Sequence, residues 1–158
     1  MAGETTAEFV PIYQCALSLL ARREHSVHEL SGKLRKRFPL APSVIASVIN
    51  RLREEEFQSD RRFAECLLAS RQQRGVGPAR IRNELQAKGV ERVLIAELLT
   101  GIDNSDISSL HMAWRKKFSR KPNTPLEKRK QTQFLLYRGF SMEQIGHFYQ
   151  TITEKEND

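Results

Sequence analysis

Apolar positions recur along this chain at two scales, the helical turn and a spacing of fifty residues. Ile45, Val48, Ile49 and Leu52 fall at i, i+3, i+4 and i+7, which is one stripe of an α-helix. Fifty residues on, Ile95, Leu98, Leu99 and Ile102 repeat it, and fifty further Ile145, Phe148, Tyr149 and Ile152 repeat it again. Three stripes in register imply duplication of one unit.

A second helix precedes each stripe. In the first unit Ser26-Val27-His28-Glu29 has the form of a capping box, in which the serine accepts from a free backbone amide and the glutamate bonds back; Leu30, Leu34 and Phe38 then share one face. In the second, Gly77-Pro78 starts the helix, Ile81 and Leu85 supply its stripe, and Gly89 is placed to take the left-handed conformation that ends it. In the third, Thr124-Pro125-Leu126-Glu127 is again a capping box and Arg138-Gly139-Phe140 parallels Lys88-Gly89-Val90, with Phe140 returning onto Leu135.

A first helix completes each unit. Tyr13, Ala16, Leu17 and Leu20 form its face in unit one, Phe63, Cys66 and Leu67 in unit two, and Leu110, Trp114 and Phe118, shifted by about a turn, in unit three. The fully apolar Phe134-Leu135-Leu136-Tyr137 implies a buried helix end. No segment has the alternation of a strand. The expected fold is all-α, with three tandem three-helix repeats packed into an elongated helical array. Its expected parts are a flexible N-terminal tail at 1–8, repeats at 9–57, 58–103 and 104–152, and an acidic C-terminal tail at 153–158.

Charge refines this picture. The 158 residues carry a net charge of +7, and it is concentrated: residues 114–138 hold nine Lys or Arg against one Glu, whereas residues 139–158 hold one Lys against four acidic residues. Such a cluster suits an anionic partner, although a solvated helix face is its plain alternative. Arg80 and Arg82 flank Ile81 at about 100° to either side, so both project beside a packed helix. The start of the chain lacks the basic and then apolar pattern of a secretory signal, and no apolar run reaches the roughly 20 residues of a membrane span. A cytoplasmic location is expected, with Cys15 and Cys66 as buried reduced thiols.

Candidate chemistry is sparse. His25 and His28 stand at i and i+3, but Ser26 between them caps a helix, and no further ligand cluster closes a metal site. A phosphate loop, a nucleophile elbow and a paired-carboxylate motif are all missing. The sequence therefore reads as that of a binding protein, with no catalytic, cofactor or metal residues assigned.

Three blocks resemble a known family: LARREHSVHELSGKL at 20–34, DRRFAECLLASRQQRGVGPARIRNELQAKGV at 60–90, and QFLLYRGFSMEQI at 133–145. They are similar to RecX, the bacterial modulators of the RecA recombinase. The resemblance implies an all-α tandem-repeat protein without a cofactor or enzymatic activity. It implies binding to RecA and to its nucleoprotein filament on single-stranded DNA, in the helical groove. It further implies restraint of filament growth, ATP turnover, strand exchange and coprotease activity in recombinational repair and the SOS response. Weak direct binding to single- or double-stranded DNA, no membrane association and a monomeric state complete the expectation. The competing reading is a direct DNA-binding protein with helix-turn-helix-like modules. The expected filament-facing or nucleic-acid-facing residues are Arg71, Arg74, Arg80, Arg82 and Lys88 in the middle repeat, and Lys116, Lys117, Arg120, Lys128, Arg129 and Lys130 in the third.

Overall fold

The computed structural model describes residues 6–155, and among them it contains nine α-helices and no strand. They are α1 (Thr6–Arg22), α2 (Val27–Arg37), α3 (Pro42–Glu54), α4 (Asp60–Gln73), α5 (Pro78–Ala87), α6 (Arg92–Thr100), α7 (Ser108–Phe118), α8 (Pro125–Tyr137) and α9 (Met142–Glu154). Thr6–Glu8, expected in a tail, already belong to α1, and Thr153 and Glu154 belong to α9. The remaining tail positions, 1–5 and 156–158, lie outside the described residues.

The chain forms two compact units: Met1–Cys66 with Gln86–Arg92, and Leu67–Leu85 with Val93–Asp158. In the first, Ile12, Ala16, Leu30, Leu34, Ile45, Val48, Ile49 and Leu52 make one core. The buried line of α1 runs through Ile12 and Ala16, while Tyr13, Leu17 and Leu20 pack at its edge. In the second, Leu110, Trp114, Leu135, Phe140, Ile145, Phe148 and Ile152 make another. Ile45, Ile95 and Ile145 are 1%, 2% and 1% exposed, so the fifty-residue stripe marks equivalent burial, worth about 1.5–3 kcal/mol per side chain.

The ends of the middle helices explain the glycines. The hydroxyl of Ser26, at the start of α2, accepts from the Glu29 amide and donates to the Lys88 carbonyl just past α5. Gly89 there has φ +74°, and a Cβ on it would stand 2.6 Å from the His28 Cβ. The same arrangement recurs between the start of α5 and the end of α8. The Gly77 amide donates to the Arg138 carbonyl at 2.7 Å and the Ala79 amide to the Gly139 carbonyl at 3.1 Å. A Cβ on Gly77 would overlap the Gly139 carbonyl group and the Phe140 nitrogen. Gly77 therefore does more than bound a helix: it lets two backbones meet.

Several local expectations are corrected. Glu29 turns away from the Ser26 amide to pair with Arg23 and Lys88, and Glu127 accepts from the Asn123 amide rather than from Thr124. Both helices keep the serine or threonine half of the box, whereas the reciprocal box forms at Ser141 and Gln144. Cys66 is exposed and Cys15 partly buried; the buried side of α4 is set by Phe63 and Ala64, and Cys66 lies about 100° from its centre. At the end of α8, Leu136 is 42% and Tyr137 76% exposed, because only Leu135 is fully buried and Phe134 packs at the core's edge, while the last two members of the run turn outward.

Candidate partner-binding surface

The basic residues of the middle and third repeats fall into two physical groups. Arg71, Lys88 and Arg120 are engaged internally. The Arg71 guanidinium grips the Glu84 carboxylate through two bonds of 2.8 and 2.5 Å with both side chains largely covered. Lys88 lies in the first unit, its ammonium 3.5 Å from Glu29. Glu29 is also held by Arg23 at 2.5 Å, and chiefly this bond brings its pKa down to about 2. Arg120 pairs with Glu127 at 3.2 Å on the surface, a contact worth at most about 1 kcal/mol.

The second group is exposed. Arg74, Arg82, Lys116, Lys117, Arg129 and Lys130 form no ion pair among the described residues. Arg80 places its guanidinium 5.3 Å from the Tyr137 ring centroid, and Lys128 its ammonium 5.0 Å from that of Tyr149; such contacts orient a cation without neutralising it. Lys128, Arg129 and Lys130 are consecutive, so they leave α8 about 100° apart and do not share a face. Lys128 looks toward α9, while Lys130 starts the flank that continues through Phe134 and Arg138.

Arg74, Lys116 and Lys117 are gathered by the fold. Together with Arg138 they surround a recess of about 610 Å³ whose apolar lining is Met112, Ala113 and Phe134, and no carboxylate lines it. Its wall is fixed. Arg138 donates through Nε to the Gly75 carbonyl at 2.9 Å and through Nη2 to the Arg74 carbonyl. Gly75, at φ +70°, lies so flat on α7 that a Cβ would come within 2.7 Å of the Ala113 Cβ, and Ser109 donates to the Gln72 carbonyl at 2.7 Å. The α4–α5 turn is thus pinned against the helix whose last turn carries Lys116 and Lys117.

Arg138 and Tyr137 were not among the residues expected from sequence. The signal for Arg138 was available in the repeat, since it occupies the position of Lys88 before the junction glycine. Trp114 is in the core, donating to the Gln131 amide oxygen at 2.7 Å and meeting Phe148 edge-on. His25 is buried in the first unit: its Nδ1 bonds the Arg23 carbonyl and its Nε2 accepts from Lys33, both at 3.0 Å. Burial pushes its pKa below the usual value, and both ring nitrogens are occupied. Among the described residues no group of three or more His, Cys, Asp or Glu could hold a metal ion, and no helix is long and apolar enough to cross a membrane.

Comparison with known proteins matches the chain in three consecutive pieces. Residues 13–52 fit a family described as RecX, first three-helix domain; residues 59–99 fit the second three-helix domain and 105–148 the third. A protein named Regulatory protein RecX from Pseudomonas entomophila (strain L48) is 42% identical over 139 residues, covering 87% of this chain and 88% of that one. Its namesake from Pseudomonas fluorescens (strain SBW25) is 43% identical over 138 residues with the same coverage. A crystal structure of RecX from Lactobacillus salivarius superposes with a TM-score of 0.80 at 21% identity, over 94% of this chain and 99% of that one.

Proposed function

Since the chain belongs to the RecX family, whose members are regulatory proteins and not enzymes, we propose that it is a negative regulator of the RecA recombinase, acting in the cytoplasm on the filament that RecA forms on single-stranded DNA. It lies in the helical groove of that filament and limits filament growth, ATP turnover, strand exchange and coprotease activity in recombinational repair and the SOS response. A regulator of this kind acts through its differential affinity for two filament states.

The observation that carries the reading beyond family membership is the set of cations that no carboxylate neutralises, Arg74, Arg80, Arg82, Lys116, Lys117, Arg129 and Lys130, displayed by one compact unit. They are the principal contacts, to filament-bound phosphates and acidic protein side chains alike, with Lys128 beside them. Arg71 and Arg120 remain paired within that unit, and Lys88 is paired with Glu29 in the other. Binding therefore weakens as salt rises.

The test is filament binding by Arg80→Glu/Arg82→Glu compared with Arg35→Glu/Lys36→Glu, which changes net charge equally on an exposed turn of α2. Arg51 would serve poorly as a control because it pairs with Glu55 at 2.9 Å. Selective weakening of the first variant, with helicity and melting retained, is the expected result. Equal binding by both variants and the wild type removes these two arginines from the surface.

A further inference from the structure

We infer that the recess bounded by Arg74, Lys116 and Lys117 is a seat for single-stranded nucleic acid, holding a phosphate of the strand on those cations and one base against Met112 and Phe134. This rests on the reading that the protein works on a nucleoprotein filament, and it names which polymer this part of the surface meets.

Three features select the occupant. The rim carries exposed cations and no carboxylate, while the floor is apolar, so the ligand joins negative charge to a flat hydrophobic group within a few ångströms. A nucleotide does so in every repeat unit, whereas a run of acidic residues would leave Met112 and Phe134 uncovered. The recess volume of about 610 Å³ falls within the roughly 300–1,000 Å³ of small-ligand sites, which suits a nucleotide of a strand. Duplex DNA does not fit, since its bases are stacked and paired, and only an unpaired strand can lay a base on an aromatic floor. Phe134 is braced for that role by its perpendicular contact with Phe118, ring centroids 5.2 Å apart.

The seat is also built in advance. Arg138 and Gly75 hold the turn that carries Arg74, and Lys116 and Lys117 project from a helix packed against that turn. The rim thus needs little ordering of the backbone on binding, which favours a shallow site.

Fluorescence anisotropy at low salt with a labelled oligothymidylate tests this. The competitors are an abasic strand of the same length, a duplex and polyglutamate; the variants are Lys116→Gln/Lys117→Gln and the control Arg35→Gln/Lys36→Gln. Loss of two phosphate contacts should weaken oligothymidylate binding about tenfold or more in the first variant and reduce the magnitude of its salt slope by about 1.4, leaving the control near wild type. The abasic strand should compete at least about fivefold less well, reflecting the missing base. Equal losses in both variants, equal competition by the abasic strand, or a duplex bound as tightly through the same lysines would each overturn the seat. If polyglutamate competes best, or the lysine variant loses filament binding while holding oligothymidylate like wild type, the recess meets protein: the seat fails and the filament reading stands. If the lysines govern oligothymidylate binding but the wild-type protein leaves recombinase ATP turnover unchanged, the seat stands and the filament reading fails.

Discussion

The two places where one middle helix begins and another ends solve the same geometric problem with different chemistry. At the first, in the unit containing α2, a side chain makes the connection: the Ser26 hydroxyl reaches the Lys88 carbonyl, and Arg23, Glu29 and Lys88 form an ion-paired cluster around it. At the second, in the unit containing α8, the main chain does: two amides at the start of α5 donate to two carbonyls at the end of α8. The first adds a titrating carboxylate to a close approach at Gly89. The second rests on backbone contact and the absence of Cβ atoms at Gly77 and Gly139. A duplicated unit can therefore keep its geometry while exchanging titratable side chains for backbone contact, and the second solution leaves more of its local cations unpaired and available to a partner.

The largest effect should come from Gly77→Ala. The added Cβ meets backbone on the far side of the junction, so strain and overpacking together should cost about 3 kcal/mol or more in urea unfolding. Gly89→Ala should cost less, about 2–3 kcal/mol, because its left-handed strain is joined by a clash with the His28 Cβ alone, whereas the Gly77 Cβ overlaps three backbone atoms. Reversal of that order would break the distinction between main-chain and side-chain junctions. Ser26→Ala removes both a helix cap and the bond to Lys88, and should cost about 1–2 kcal/mol by the same assay.

The smallest effect is the most diagnostic of the first junction. Glu29 has a folded pKa of about 2 against an ordinary 4.5. Its folded value is depressed, so its contribution is fully present above about 4.5 and is lost as pH falls toward 2. After allowance for solvent screening this is about 1 kcal/mol. Glu29→Gln should be less stable than wild type by about that amount at neutral pH, and the difference should vanish on acid titration. A difference that persists unchanged at pH 2 would place the effect in packing rather than charge.

Much of this fold was legible in the sequence because helical stripes are repeated physical constraints. Ile45, Ile95 and Ile145 each had to face a core, and the period exposed all three. Gly89 and Gly139 were legible as helix ends for the same reason, since only a residue without Cβ takes their positive φ readily. Their second task was not legible: that Gly77 and Gly139 touch depends on packing between segments sixty residues apart. Tyr137 was misjudged because an apolar run of four says nothing about which member faces the core. The basic surface was legible as composition and charge run only. Sequence could not tell that Arg71 is paired with Glu84 while Arg74, three residues on, joins Lys116 and Lys117 around a recess, because the carboxylates that neutralise one cation and spare another come from other helices.

Restraint of the RecA filament by this protein is tested most directly by titrating it into RecA turning over ATP on single-stranded DNA. Turnover should fall with added protein until the filament is saturated, the fall should be relieved by salt, and the protein alone should hydrolyse no nucleotide. Unchanged turnover under conditions where the protein is seen to coat the filament would contradict it.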